Sequence, residues 1–402
     1  MSMTAEIPYG AYWSTPFCKW QGAFQHLHAL RFAAHVTSAE LATRAWPAGT
    51  FDFAVLGTTI PQAQCFYGAP WVTAMAGLGE ISGPTIAQAC ATGVRSIAVA
   101  VAEIALGMAQ CALVVTADRT SNGAHLYYPE PAGMGGTGTH ENWVLDNFSC
   151  DPSGGNSMIQ TAENVAQKHG ISTAEQHEVV LMRYAQYTAA LADERAFQQR
   201  FMRLPFPIPR PRFDRDAGTL EGDAGVTEST AEGLAALQPV LRDGTVTFAA
   251  QTHPADGSAS LVVTNPDTAR ELSRDRNVRI RILGFGQART AQAFMPEAVV
   301  PAATQALSMA GCRIGDLDAV KTHNPFAVND IVFSRQTGFP LEKMNQYGCS
   351  LIWGHPQAPT GTRSIIEMIE ELALRGGGRG LFSGCAAGDT AMALVLEVDV
   401  QA

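Results

Sequence analysis

A six-residue pattern occurs twice in this chain, and each copy opens a stretch in which apolar residues recur at helical spacing. Residues 92–97 have the sequence TGVRSI and residues 360–365 have TGTRSI, so only the third position differs. Six residues could match by chance, but their shared position at a helix start favours an internal duplication. We therefore predict two similar halves, in which these two helices occupy related places.

Short apolar runs with flanking turn residues lie on either side of each copy. This strand-helix-strand order predicts an α/β fold with parallel strands and with helices on the faces of the sheet. The predicted elements are strands at 53–57 and 112–117 around a helix at 90–107, then a strand at 318–322, a helix at 364–374 and strands at 380–383 and 391–398.

The segment 121–248 departs from this alternation. Residues 127–155 are rich in Gly, Pro and aromatic residues, residues 161–192 have helical periodicity, and residues 204–211 have an irregular, Pro-rich sequence. An insertion of this length in an α/β core is more often a lid or a binding element than a structureless tether. We expect the first half to resume at 247–263.

Composition narrows the class of protein. The chain of 402 residues is 46% hydrophobic, which allows a large core, and its formal charge of -10 without a Lys/Arg cluster argues against a nucleic-acid partner. No apolar run is long enough to span a bilayer, and the first residues do not resemble a secretory signal. The eight cysteines lack CxxC spacing, which predicts reduced thiols in a cytoplasmic protein and no metal site.

Three reactive side chains lie in turns between strand-like and helix-like runs. Cys90 precedes the first repeated pattern, His355 precedes the second, and Cys385 lies in the Gly-rich turn SGCAAG. Two thiols and an imidazole can supply a nucleophile, its base and a separate proton donor, which suits acyl transfer through a thioester. The start of a helix also favours a thiolate or an oxyanion.

Several short motifs, taken in order, resemble those of the thiolase family. No single one is specific, but six in the family's order make coincidence improbable. They are STPF with WQG at 14–22, CATG at 90–93, TAENVA at 161–166 followed by GIS, LQPV with GTVT at 237–247, GHP at 354–356 followed by Gly361, and Cys385 with Gly388.

The resemblance implies a duplicated five-layered α-β-α-β-α sandwich with an inserted loop domain. Each half would hold a mixed five-stranded sheet. The domains would be 1–120 plus 249–270 for the N-terminal half, 121–248 for the loop domain, and 271–402 for the C-terminal half. It also implies CoA thioesters as substrates, with CoA itself a substrate rather than a bound cofactor. A homodimer or tetramer is expected, and the need for a helper subunit stays open.

Catalytic roles carried over from the resemblance fall on four positions. His355 would take the proton of Cys90, which forms the acyl-enzyme, and Cys385 would act as the second acid and base. One oxyanion hole would use His355, and the other would use the backbone N–H groups of Cys90 and Ala387.

The chain departs from the family pattern at several of these places. HNPF at 323–326 replaces the usual NEAF, so His323 is expected to take over the oxyanion-hole role of the Asn. Ala387 replaces a Gly, Ser157-Met158 replaces His-Met, and Thr252 replaces a Ser. Met158, Thr252 and Phe326 are expected to contact the substrate.

Other binding residues are less determined. The resemblance places CoA near Arg210, Arg212 and Arg215, where guanidinium groups can pair with phosphate, although these residues could equally form a solvated face. His253 fits either a pocket or a turn. The aromatic residues Tyr127, Tyr128, Trp143 and Phe148 could line an acyl tunnel or form a small core of the insertion.

Two other functions compete with thiolase chemistry. A ketoacyl-synthase-like condensing enzyme shares a Cys-His-His site, but Cys385 argues against it because those synthases have no second catalytic thiol. A catalytically silent subunit that binds acyl-CoA is also possible, but the presence of all three reactive side chains argues against it.

Overall fold

The computed structural model describes residues 5–47 and 49–401. Its strands are β1 (Tyr12–Ser14), β2 (Cys18–Lys19), β3 (Phe53–Gly57), β4 (Thr85–Ile86), β5 (Cys111–Arg119), β6 (His125–Tyr128), β7 (Thr139–Asn142), β8 (Phe206–Pro209), β9 (Asp216–Leu220), β10 (Ala255–Thr264), β11 (Val278–Arg289), β12 (Ala319–His323), β13 (Gly377–Ala386) and β14 (Thr390–Val400).

The α-helices are α1 (Ala29–Ala42), α2 (Gly68–Met75), α3 (Thr92–Ala105), α4 (Leu145–Ser149), α5 (Met158–His169), α6 (Thr173–Ala189), α7 (Ala192–Gln199), α8 (Ala231–Ala235), α9 (Pro266–Leu272), α10 (Val299–Ala310), α11 (Ala327–Thr337), α12 (Ser350–Trp353) and α13 (Gln357–Leu374). Across the described residues, no helix combines the length and apolar character that crossing a membrane requires.

Two large mixed sheets carry the fold. The first has the order β1-β10-β5-β3-β4 with β2 paired to β10, and the second has the order β11-β14-β13-β12. Helices α1 and α2 pack on the first sheet, α3 and α13 lie between the sheets, and α10 covers the second sheet with α11 beside it. This arrangement confirms the predicted five-layered α-β-α-β-α sandwich.

The duplication is visible in strand directions. From β1 to β3 the neighbouring pairs run antiparallel, antiparallel and parallel, and the same succession leads from β11 to β12. The predicted count of five strands in each half is wrong. The first sheet gains β2, and the second has four strands, because only a single parallel bridge between Val320 and Met344 occupies the place that β4 has in the first sheet.

Most elements of the core agree with the sequence prediction. Strand β3 has the predicted bounds, β12 is shifted by one residue, and β5, β13 and β14 extend the predicted runs by a few residues. In the insertion, the helical periodicity predicted at 161–192 corresponds to two helices, α5 and α6. Gly170 adopts a left-handed conformation (φ 59°) that ends α5, and Ser172 then begins α6 with a capping box to Glu175. Residues 206–209, predicted to be irregular, form β8.

Buried carboxylates hold the insertion together and attach it to the core. Glu163 accepts the backbone N–H of Val246 at 2.7 Å and that of Thr245 at 2.8 Å, which joins the TAENVA segment to the GTVT segment. Asp223 accepts two hydrogen bonds, at 2.6 and 2.8 Å, from the fully buried guanidinium of Arg363 on α13. A bidentate pair of this kind fixes geometry as well as distance. We keep 121–248 as the proposed loop domain.

Helices α3 and α13 touch at their first turns because the repeated pattern places a glycine there. A Cβ on Gly93 would lie 2.7 Å from the carbonyl oxygen of Ala358 and 2.8 Å from the backbone nitrogen of Thr362. A Cβ on Gly361 would lie farther from its neighbours, because the nearest atom belongs to the side chain of Val94, at 3.3 Å. The crossing therefore requires a glycine at 93 much more strictly than at 361.

We expect Gly93→Ala to destabilise the protein by about 1–3 kcal/mol, because backbone atoms of α13 would have to move to admit the methyl group. Gly361→Ala is the matched control: its new contact is a side chain, and alanine stabilises a helix interior by about 0.5–1 kcal/mol relative to glycine. Urea unfolding midpoints of the three proteins measure the difference. Equal midpoints for the two variants would contradict the proposed close crossing.

Candidate active site

Cys90 lies two residues before α3, on a tight turn. The preceding residue, Ala89, has φ of +44°, a backbone conformation that is uncommon for a residue with a side chain. Residue Cys90 is partly exposed. Burial raises the pKa of its thiol, and the nearby backbone N–H groups of Ala387 and of Cys90 itself lower it. The nucleophile candidate therefore has two backbone donors close to its sulfur.

His355 lies two residues before α13, and its backbone N–H donates to the carbonyl of His253 at 2.9 Å. Its Nδ1 is 2.7 Å from the hydroxyl of Thr360, which gives its own hydrogen to the carbonyl of Pro356 at 2.6 Å. The Thr360 oxygen must then accept from Nδ1–H, so Nε2 of His355 carries the lone pair. This tautomer is the one a general base needs.

His323 is the last residue of β12 and stacks on His355, with ring centroids 4.0 Å apart. Its Nδ1 is 2.8 Å from the Ser350 hydroxyl, which also lies 3.1 Å from Oδ1 of Asn324. The ligand-type atoms of Cys90, His323 and His355 all lie within 4.8 Å of one another. Three residues that are distant in the sequence thus converge on one point.

Cys385 lies on β13, the strand beside β12, and is fully buried. Its sulfur accepts a hydrogen bond from the side-chain amide of Asn329, at 3.2 Å. Asn329 is the third residue of α11, and its other amide atom accepts the backbone N–H of Phe326. The second thiol is therefore held behind the Cys90–His355 pair by a helix-capping side chain.

Burial sets the charge state of these groups. It raises the pKa of the Cys90 thiol to about 12 and lowers the pKa of His355 to about 3, the latter with help from nearby His253. Burial and then His355 hold the pKa of His323 well below its usual range, and burial and then Cys90 hold that of Cys385 well above. Near neutral pH the resting site therefore holds neutral thiols and neutral imidazoles.

A buried carboxylate joins the two halves beside this site. Asp118, at the end of β5, accepts the backbone N–H groups of Thr59 and of Ala358, both at 2.7 Å. These bonds tie a loop of the first half to the first turn of α13. Asp118 thus fixes the position of the helix that carries His355.

A cavity of about 540 Å³ leads to Cys90 and His355. Of the residues predicted to bind substrate or to serve as donors, Met158, Thr252, Phe326 and Ala387 line it, and so do His253, Trp143 and Phe148. His253 is therefore a pocket residue rather than a turn residue. Tyr127 and Tyr128 do not line the cavity, because they lie exposed on the β6–β7 hairpin.

The three arginines predicted near CoA lie in the exposed turn between β8 and β9, outside the cavity lining. Phe213 in that turn packs on His35 and Arg31 of α1. A role of Arg210, Arg212 or Arg215 in CoA binding stays a prediction.

Several residues of the site were not identified from the sequence, namely Asp118, Asn329, Ser350 and Thr360. One feature of the sequence marked Asp118, namely that a carboxylate directly follows the predicted strand 112–117. Asn329 occupies an ordinary helix-capping position, Ser350 is the first residue of α12, and Thr360 lies in the first turn of α13. Nothing in their local sequence distinguishes these three from structural residues.

Comparison with known proteins identifies the family. The models "Thiolase, N-terminal domain" and "Thiolase, C-terminal domain" match residues 11–267 and 277–398. The chain belongs to the thiolase family.

Relatives and solved structures match over nearly the whole length. The chain is 28% identical to acetyl-CoA acetyltransferase of Allochromatium vinosum over 94% of this chain and 95% of that protein. It is 26% identical to 3-ketoacyl-CoA thiolase of Erwinia tasmaniensis, covering 96% and 95%. The crystal structure of acetyl-CoA acetyltransferase from Bacillus anthracis superposes with a TM-score of 0.89 at 25% identity, covering 99% of both chains. Human mitochondrial 3-ketoacyl-CoA thiolase in complex with CoA shares the fold, with a TM-score of 0.88 at 24% identity and 99% of both chains covered.

The neutral resting site predicts how Cys90 reacts with pH. Since burial places the thiol pKa near 12, the thiolate fraction, and with it the rate of alkylation by iodoacetamide, should rise about tenfold per pH unit between about pH 7 and 10. Peptide mass spectrometry of Cys90 at each pH measures this, with the exposed Cys150 as an internal reference. A rate at Cys90 that is flat over this range would instead indicate a preformed thiolate-imidazolium pair.

Proposed function

We propose that this thiolase-family protein is an acyl-CoA:acetyl-CoA C-acyltransferase, which cleaves or forms 3-ketoacyl-CoA through an acyl-enzyme on Cys90. The observation that carries the proposal is the convergence of Cys90, His323 and His355 within 4.8 Å beside a cavity that Cys90 and His355 line, with the buried Cys385 close enough to Cys90 for Cys90 to raise its pKa. Each group of the two-step reaction has a candidate at this place.

In the first step of cleavage, the Cys90 sulfur attacks the 3-keto carbon and its proton passes to Nε2 of His355. The bond between C2 and C3 then breaks. The acyl group stays on Cys90 as a thioester, and the acetyl-CoA carbanion takes a proton from the Cys385 thiol. The Thr360 hydroxyl supports this step, because it keeps the lone pair of His355 on the nitrogen that faces the site.

In the second step, the thiol of a new CoA molecule gives its proton to the Cys385 thiolate, and its sulfur attacks the acyl group. Acyl-CoA leaves, and His355 returns the proton to Cys90. Condensation is the same path reversed, in which Cys385 removes the α-proton of acetyl-CoA. The amide of Asn329 supports both directions, since a donor to the sulfur stabilises the Cys385 thiolate.

Two oxyanion holes follow from the donors in place. The backbone N–H groups of Ala387 and Cys90 lie close enough to the Cys90 sulfur to lower its pKa, which makes them candidate donors to the oxygen that forms on the carbon bonded to that sulfur. Oδ1 of Asn324 accepts the backbone N–H of Leu351, so it has a donor even when the Ser350 hydroxyl turns away from it. The Ser350 hydroxyl can then donate to Nδ1 of His323. That arrangement leaves Nε2–H of His323 free to donate to the substrate thioester oxygen. Such donors typically contribute about 3–4 kcal/mol each to lowering the barrier.

The observed geometry favours this function over its two competitors. A ketoacyl-synthase-like enzyme would use Cys90, His323 and His355, but it would have no use for a second thiol held by Asn329 beside the first. A silent acyl-CoA-binding subunit would not require the cavity to reach the nucleophile, whereas here Cys90 and His355 both line it.

The proposed substrates are CoA thioesters with an apolar acyl chain. CoA is present in the crystal structure of the human mitochondrial 3-ketoacyl-CoA thiolase, and Trp143, Phe148, Phe248 and Phe326 give this chain's cavity an aromatic wall. We expect longer or aromatic 3-ketoacyl chains to be accepted besides acetoacetyl-CoA. A role in β-oxidation, a cytoplasmic location and assembly as a homodimer or tetramer remain part of the proposal.

CoA-dependent cleavage of acetoacetyl-CoA and of longer and aromatic 3-ketoacyl-CoAs tests the function. Wild-type protein should consume at least one of these substrates, and Cys385→Ala should lose turnover while Cys90 still becomes acylated by acyl-CoA. Cys111→Ala, which removes a buried thiol of β5 far from this chemistry, should keep wild-type turnover. If no substrate is cleaved, or if Cys385→Ala turns over normally, the proposed function is wrong.

His323 distinguishes this chain from the common family pattern. Loss of one preorganised donor usually costs a factor of about 10²–10³ in kcat, so His323→Ala should lower turnover by that factor with little change in CoA affinity. His323→Asn should recover part of it, because an amide can hold a water at the same place. Steady-state kinetics of the two variants decide the matter. Turnover of His323→Ala near the wild-type value would show that His323 is merely structural.

A further inference from the structure

Two imidazoles and one thiol meet at this site. Nε2 of His323 and Nε2 of His355 are both buried and find no hydrogen-bond partner among the described residues. One ring nitrogen of each histidine and the Cys90 sulfur lie within 4.8 Å of one another, and since both Nδ1 atoms are hydrogen-bonded, Nε2 is the nitrogen that each histidine can offer to a ligand. In the common family pattern, an asparagine amide occupies the place of the His323 imidazole.

We propose that Cys90, His323 and His355 form a binding site for a thiophilic divalent cation of the Zn²⁺ class, which blocks the site reversibly. One thiolate and two imidazoles are the ligand types that Zn²⁺ prefers, and three protein ligands with an open fourth position are common for accessible zinc. The fourth position would face the cavity that Cys90 and His355 line. This inference rests on the ligand geometry and holds whether or not the proposed acyl transfer takes place.

Cation binding requires side-chain rotations. Zn–S and Zn–N bonds of about 2.3 and 2.0–2.1 Å place ligand atoms about 3.3–3.6 Å apart in a tetrahedral site. The ligand atoms already lie within 4.8 Å of one another, and the stacked rings of His323 and His355 have to turn so that both in-plane lone pairs point at one cation. Cys90 is partly exposed, so the cation has a route through the cavity.

The surrounding hydrogen bonds suit metal-bound imidazoles. A histidine that binds a metal through Nε2 donates its Nδ1–H to a neighbouring acceptor. For His355 that acceptor is the Thr360 hydroxyl, whose own hydrogen is already used. For His323 it is the Ser350 hydroxyl, which can turn its hydrogen to Oδ1 of Asn324, 3.1 Å away. Ser350 thus allows His323 to donate through Nε2 in one state and to ligate through it in another.

The cation and the acyl group compete for the Cys90 sulfur. Binding forms one metal–sulfur bond and two metal–nitrogen bonds, and the Cys90 proton is released to solvent. An acylated Cys90 has no thiolate to offer, so the acyl group and the cation exclude each other. A chelator restores the free thiol without any oxidant or reductant.

Titration with Co²⁺, which substitutes for Zn²⁺ and gives a thiolate-to-cobalt absorption band, tests the site. We expect one ion per chain and a band that Zn²⁺ displaces. Cys90→Ser should lose the band, and His323→Asn should weaken Zn²⁺ affinity at least tenfold. Ser350→Ala should weaken it about 10–100-fold as a loss of a supporting hydrogen bond. Circular dichroism confirms that each variant is folded.

Two control variants separate this site from other ligands. Cys150→Ser removes the exposed thiol, and His140→Ala removes the exposed pair formed with His125, whose ring nitrogens are 3.1 Å apart. Both should keep the band and the affinity. A band that survives in Cys90→Ser, unchanged affinity in His323→Asn, or no saturable binding to wild type would overturn the proposal. Each of these outcomes is independent of any test of acyl transfer.

Discussion

The contact between the first turns of α3 and α13 is the constraint on which the site depends. Gly93 leaves no room for a Cβ against the backbone of Ala358 and Thr362, so the two helices meet backbone to backbone. Cys90 and His355 each precede one of these helices by two residues. Because the helices come from different halves, the nucleophile and its base meet only when both halves have folded and packed together.

Polar bonds at the same junction keep the alignment. Asp118 binds the loop at Thr59 and the start of α13, and the hydroxyls of Thr116 and Thr362 lie 3.2 Å apart across the halves. A buried junction of this kind moves little on substrate binding, which is the condition for preorganised donors to lower a barrier. It also explains why the reactive groups are neutral at rest: burial disfavours an isolated thiolate or imidazolium, so charge has to develop with the reaction.

Sequence patterns predicted the core better than the insertion. Strand β3 and the helices after Cys90 and His355 follow from apolar period and turn residues, which are local signals. The periodicity of 161–192 indicated helix, and the break between α5 and α6 lies where Gly170 is followed by the capping residue Ser172. The missing fifth strand of the second sheet has no local signal, since Met344 makes only a single bridge to Val320.

The site was predicted where chemistry itself marks a residue. Cys90 and His355 lie just before helices, Cys385, predicted in a turn, lies near the end of β13, and the HNPF segment drew attention to His323. Asn329, Ser350 and Thr360 could not be predicted, because their importance comes from hydrogen bonds across the fold rather than from their neighbours in sequence. Tyr127 and Tyr128 were indistinguishable from Trp143 and Phe148 in composition, and only the path of the β6–β7 hairpin separates them.

In the proposed mechanism, Cys90 is the residue that carries the acyl group. The most direct measurement is the mass of the protein after brief incubation with acyl-CoA, followed by peptide mapping. We predict one added acyl group per chain, on Cys90, that free CoA removes. The Cys90→Ser variant should take up none. An acyl group that maps chiefly to Cys385 or Cys65, or that CoA cannot remove, would contradict the central claim.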